Sequence, residues 1–141
     1  MPLFQAIKLP FLLHFAIETA AASSFILNPA SQLPAPSPAT RLLLQSFGGL
    51  LLSTNLVCLI FVARPFDETT RHVAAALAFW HAWPCWRAYV RLARPDVDGT
   101  GRDKRNAELV KKTLGGPGVH LAVHVGMLVL FAGAALIGQR A

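Results

Sequence analysis

The chain has 141 residues, of which 54% are hydrophobic and 14% charged, with a mean hydropathy of +0.47. Soluble domains carry about 25% charged residues, so an ordinary water-soluble fold is excluded. The net charge of +6 does not point to nucleic acid, because most basic residues fall between Arg87 and Lys112, where they serve to orient a membrane protein.

Residues 9–27, LPFLLHFAIETAAASSFIL, are close to the length that crosses a bilayer core as a helix. His14 and Glu18 are four apart, so they share one face, one turn above the other. A central charge at membrane depth costs ~2.5–3.5 kcal/mol, and such groups turn toward a bundle interior or a wet cavity. They also interrupt the apolar run that a cleaved signal peptide would need, so this stretch reads as a retained span.

Residues 28–40, NPASQLPAPSPAT, carry four prolines and are expected to form a stiff connector without helix or strand. The second predicted span, residues 42–63, lies between Arg41 and Arg64 and holds no charge. Gln45, Gly48, Leu52 and Asn55 fall on one arc of it. Gly49-x3-Ser53 offers a small-xxx-small packing surface. Asn55 serves either as interhelical glue or as part of a site. The turn RPFDETTR follows, with Asp67-x-x-Thr70 as helix-capping chemistry.

The third predicted span, residues 72–90, begins with Ala74, Ala78 and Ala82 on one close-packing face. Its second half, FWHAWPCWRAYVR, contains Pro84, expected to kink the helix and free a carbonyl near residue 80. Trp80 and His81 lie near mid-span, where an interfacial aromatic belt does not account for them. Arg87 is read as snorkelling to the interface. The basic loop, residues 91–118, is expected to contain a short surface helix over residues 106–114. The fourth span, residues 119–138, is apolar apart from His120 and His124, whose default role near a helix end is interfacial. Cys58 and Cys85 show no zinc or redox spacing and read as small buried thiols.

The expected fold is therefore all-α: an integral membrane four-helix bundle, with residues 1–141 as a single transmembrane domain. With four spans the termini share a side. Arg41 and the seven basic residues of the long loop outweigh Lys8, Arg64, Arg71 and Arg140, which places that loop in the cytosol. The endoplasmic reticulum is the expected membrane. A rise of about 1.5 Å per residue puts His14 roughly 7–8 Å, Asn55 roughly 9–12 Å, and Glu18 and His81 roughly 13–14 Å from the opposite face. His124 comes out about 7 Å below Glu18 on the same count.

This layer suggests acid–base chemistry on a lipophilic substrate. Glu18 would donate a proton and His14 would be its partner, as catalytic residues. Asn55, Trp80, His81 and Trp83 would line the substrate site, the tryptophan faces stabilising a developing carbocation. Proton addition to a double bond followed by loss elsewhere is isomerisation or cyclisation, and it needs no cofactor and no metal. The expected partners are a lipophilic small molecule and the lipid bilayer, not nucleic acid; a channel or transporter role would require a homo-oligomer. A second reading is a non-enzymatic ligand-binding or scaffold protein. A third is a metal site of His14-x3-Glu18 with His120-x3-His124 and His81, against which the depth count places His14 and His120 toward opposite faces.

The run L-H-F-A-I-E, with its His-x3-Glu spacing, resembles the corresponding helix of the sterol Δ8–Δ7 isomerase (emopamil-binding) group and its sigma-2-receptor relatives. That resemblance implies a small membrane bundle around an acidic hydrophobic cavity and a sterol or terpenoid substrate. It covers about one helix and carries His14 and Glu18 alone. The isomerases' second intramembrane acid has no counterpart here, and segment four reads HVGMLVLF where an Asn-x-x-Trp would stand. The whole chain also resembles small four-span proteins of filamentous fungi.

Overall fold

A computed structural model describes residues 6–33, 35–94 and 116–137. Among the described residues four helices follow one another: α1 (Leu9–Leu27), α2 (Pro38–Ala63), α3 (Glu68–Ala93) and α4 (Gly116–Ile137). Three of them, α1, α2 and α4 through Leu136, are long and apolar enough to cross a membrane. By length and composition the chain is thus a multi-pass membrane protein. The expected third span does not meet the same measure. Helix α3 is 26 residues long, but its histidines, tryptophans, proline and arginines lower its hydropathy.

The first span runs over the residues expected of it, and the others begin earlier. Helix α2 starts at Pro38 because a proline at the first helical position loses no hydrogen bond, and Ser37 caps it by accepting from the Thr40 N–H. The connector is also less irregular than its prolines suggest. Pro29–Ser31 forms a 3-10 turn, clipped to the end of α1 by Ser24, Ser31 and Gln32 side chains. Asp67 caps α3 as expected, accepting from both the Thr70 N–H and the Thr70 hydroxyl at 2.8 and 2.7 Å. Pro84 is buried inside α3, which continues unbroken to Ala93. The surface helix expected over residues 106–114 lies outside the described residues.

The helices pack as two hairpins. Helix α1 lies along α2, α3 lies along α4, and contacts between α1 and α4 join the pairs. The close approach of α1 and α2 is set by Gly48, not by the expected Gly49-x3-Ser53. A β-carbon on Gly48 would meet Ile26 Cγ1 at 2.6 Å and the Ala22 carbonyl at 3.1 Å, whereas one on Gly49 would meet nothing within 4 Å. The buried arc of α2 is Gly48, Leu51, Asn55 and Cys58, so Leu52 faces outward, 40% exposed.

The packing is inside-out relative to a soluble protein. Leu42, Leu43, Leu56 and Ile60 are exposed, while His14, Glu18, Asn55, Thr70, His81 and His124 are buried. An outer surface of this kind suits lipid rather than water. Two apolar clusters fill the bundle. One contains Phe11, Cys58, Ala74, Leu77, Met127 and Phe131; the other contains Ala22, Phe25 and Leu51, with Phe47 and Trp80 against it. Along α1 and α2 the buried polar residues fall between the two clusters. His81 follows Leu77 on α3, and His124 precedes Met127 on α4. The bundle therefore holds a polar layer between apolar layers.

Candidate functional site

Each helix contributes to that layer. Helix α1 supplies His14 and Glu18 from one face, α2 supplies Thr54 and Asn55, α3 supplies His81, and α4 supplies His124. His14 and His81 are completely buried, and Glu18, Asn55 and His124 are at most 4% exposed. Membrane helices gain little from apolar burial against lipid, so hydrogen bonds and close packing hold such a layer together.

The hydrogen bonds form a chain. His14 Nδ1 lies 3.1 Å from His81 Nε2, and His81 Nδ1 lies 2.8 Å from His124 Nδ1. At the other end His14 Nε2 lies 3.2 Å from Thr54 Oγ1. The Thr54 hydroxyl donates to the Leu51 carbonyl at 2.8 Å, so its oxygen is left to accept. This places a proton on His14 Nε2 and leaves His14 Nδ1 as an acceptor. Phe131 fixes the rings from the side, stacked on His81 and edge-on to His14.

Glu18 stands beside this chain. Its Oε1 is 3.9 Å from His124 Nδ1, beyond hydrogen-bond range, and has no hydrogen-bond partner. Asn55 donates to Thr19 Oγ1 at 2.9 Å, tying α2 to α1, while its Oδ1 is unpartnered, as is Trp80 Nε1. A buried polar atom left unpaired costs about 1–3 kcal/mol. Among the described residues three such atoms, on α1, α2 and α3, lie unpartnered in the interior. Donor atoms of His14, Glu18 and His81 lie within 4.8 Å of one another.

Of the residues expected from the sequence, His14, Glu18 and His81 come together at the bundle centre. Asn55 joins the same layer, and Trp80 borders it through the cluster of Leu51 and Phe47. Trp83 does not join them. It is 59% exposed and packs edge-on to Phe79 on the outer face.

His124 is the main correction. The depth count set it well below Glu18, yet the two side chains nearly touch. Helix α4 begins at Gly116 rather than 119, which puts His124 about 12 Å along the helix and brings it closer to the level of Glu18. His120, one turn before His124 on α4, pairs with Arg87 Nη2 at 2.9 Å. Thr54 went unrecognised because a threonine beside Asn55 in an apolar run carries no periodic signal of its own.

No known protein family, curated protein or solved structure matches this chain. The likeness of L-H-F-A-I-E to the sterol isomerase group accordingly rests on those residues alone.

Proposed function

We propose that the polar layer is an intramembrane site for acid–base chemistry on a lipophilic molecule, with isomerisation or cyclisation as the reaction class. The observation that carries this reading is Glu18, a buried carboxyl with an unpartnered oxygen beside three hydrogen-bonded imidazoles. A carboxyl away from water is costly as an anion, which suits it to give up and recover a proton within one catalytic cycle. The imidazoles beside it can take or return that proton, since each has one donor and one acceptor nitrogen when neutral. His14 and His81 act with Glu18, and Trp80 and Asn55 border the space where the substrate enters. A sterol or terpenoid matches the apolar layers above and below.

In this reading α3 is the fourth crossing, because it carries His81 into the layer and packs along α4. The basic segment 91–118 then lies in the cytosol, and the endoplasmic reticulum of a fungal cell is the proposed setting. Asn55 Oδ1 and Trp80 Nε1 also support a second reading. Unpartnered acceptor and donor atoms would hold a hydroxylated lipid without converting it. Incubating candidate sterols and terpenoids with the purified wild type and Glu18→Gln separates the two. Conversion by the wild type alone supports the enzyme, and binding by both without conversion supports the carrier.

A further inference from the structure

We propose that His14 Nδ1, His81 Nε2 and a Glu18 carboxylate oxygen form a binding site for a divalent first-row transition metal ion. The inference rests on the reading that the Glu18 layer is the functional centre, and it names the cofactor of that centre.

Two imidazole nitrogens on one zinc ion, each about 2.0–2.1 Å from it, lie roughly 2.8–3.4 Å apart at right-angled to tetrahedral geometry. His14 Nδ1 and His81 Nε2 are 3.1 Å apart. One donor atom from each of His14, Glu18 and His81, all buried residues, lies within 4.8 Å of the other two.

A metal-bound histidine donates its other ring N–H to a nearby acceptor, which fixes the tautomer and the ring orientation. His14 Nε2 faces the Thr54 oxygen at 3.2 Å, and that oxygen can only accept, because its proton goes to the Leu51 carbonyl. His81 Nδ1 faces His124 Nδ1 at 2.8 Å. If both outer nitrogens carry their protons, the two inner lone pairs face each other, and only a cation resolves that repulsion. Without the ion, His81 adopts its other tautomer and a proton sits between the rings instead.

Glu18 Oε1 is buried without a hydrogen-bond partner, although every imidazole nearby is paired. As a metal ligand it ceases to be unsatisfied. Two imidazoles and a carboxylate suit zinc or iron(II) rather than magnesium or calcium, which prefer oxygen donors throughout. Three protein ligands leave a position open for water. An ion held there by His14, His81 and Glu18 would make a bound water more acidic and so would supply the proton that the layer delivers to the substrate.

The test uses full-length protein purified in detergent, analysed for bound metals by mass spectrometry and titrated with Co²⁺ while its visible absorption is followed. Stoichiometric zinc or iron, and a cobalt spectrum lost in His81→Gln and in Glu18→Gln, are expected. Thr54→Val keeps all three ligands and should weaken Co²⁺ binding about 10–100-fold, whereas His120→Ala should leave it unchanged. Folded wild type that binds none of the three metals overturns the proposal, as does binding unaffected by His81→Gln and Glu18→Gln together. Turnover that survives metal removal overturns the ion's role as cofactor and leaves the enzyme reading standing. Stoichiometric metal without any lipid conversion overturns the enzyme reading alone.

Discussion

The His14 imidazole is held by the Thr54 hydroxyl, 3.2 Å from its Nε2, and Thr54 is itself anchored on the Leu51 carbonyl one turn back on α2. A short polar side chain on one helix thereby sets the proton position on a catalytic candidate of another. This contact sets the tautomer of His14, and those of His81 and His124 depend on whether an ion or a proton lies between His14 and His81.

Thr54→Val removes the acceptor and nearly preserves shape. Leaving the His14 N–H unpaired in the bundle should cost about 1–3 kcal/mol, measured as a lower unfolding midpoint in mixed detergent. Thr54→Ser should restore most of it. If valine and serine behave alike, the hydrogen bond does not orient the ring.

Adjacent glycines on α2 should respond in opposite ways. Gly48→Ala places a methyl against Ile26 and the Ala22 carbonyl, and over-packing of this kind costs about 1–3 kcal/mol. Gly49→Ala meets open space and should be neutral or slightly stabilising through helix propensity. Thermal midpoints of the two variants, compared in one detergent, check the pair.

Phe131 touches Phe11 edge-on at 5.2 Å between centroids and stacks on His81. Phe131→Ala should destabilise by about 3–5 kcal/mol and loosen both rings it supports. Phe131→Leu, which refills part of the volume, should recover much of that loss in the same unfolding assay.

The cap on α3 gives an acid-sensitive contribution. The Thr70 N–H, then its hydroxyl, with Arg64 adding, hold the Asp67 carboxyl below its usual 3.8. A group lowered in the folded state stabilises above its unfolded value and loses that effect as pH falls through the folded one. The contribution is thus complete near neutrality and fades below about pH 4. Asp67→Ala should lower thermal stability at pH 7, Asp67→Asn should largely preserve it, and the deficit of the alanine variant should shrink in acid.

The architecture was legible because apolar runs of membrane length are the strongest signal a sequence carries. The His14–Glu18 face was legible from helical spacing, and the α3 cap from Asp67-x-x-Thr70. The interior of α2 was less so: Gly48 and Gly49 stand side by side, and only the rotation of the helix decides which one meets α1. His124 was lost to a depth count that followed helix rise alone, from a helix start set three residues late at the edge of a basic loop. Trp80 and Trp83 looked equivalent in sequence, yet Trp80 packs against the Leu51 cluster and Trp83 is turned outward.

The most direct measurement is mass spectrometry of the hydrophobic molecules that co-purify with wild type and with Glu18→Gln. The account predicts a sterol or terpenoid whose chemical identity differs between the two, the variant retaining the form the wild type converts. The same mixed phospholipids in both would contradict it and leave the polar layer as the packing of a structural bundle.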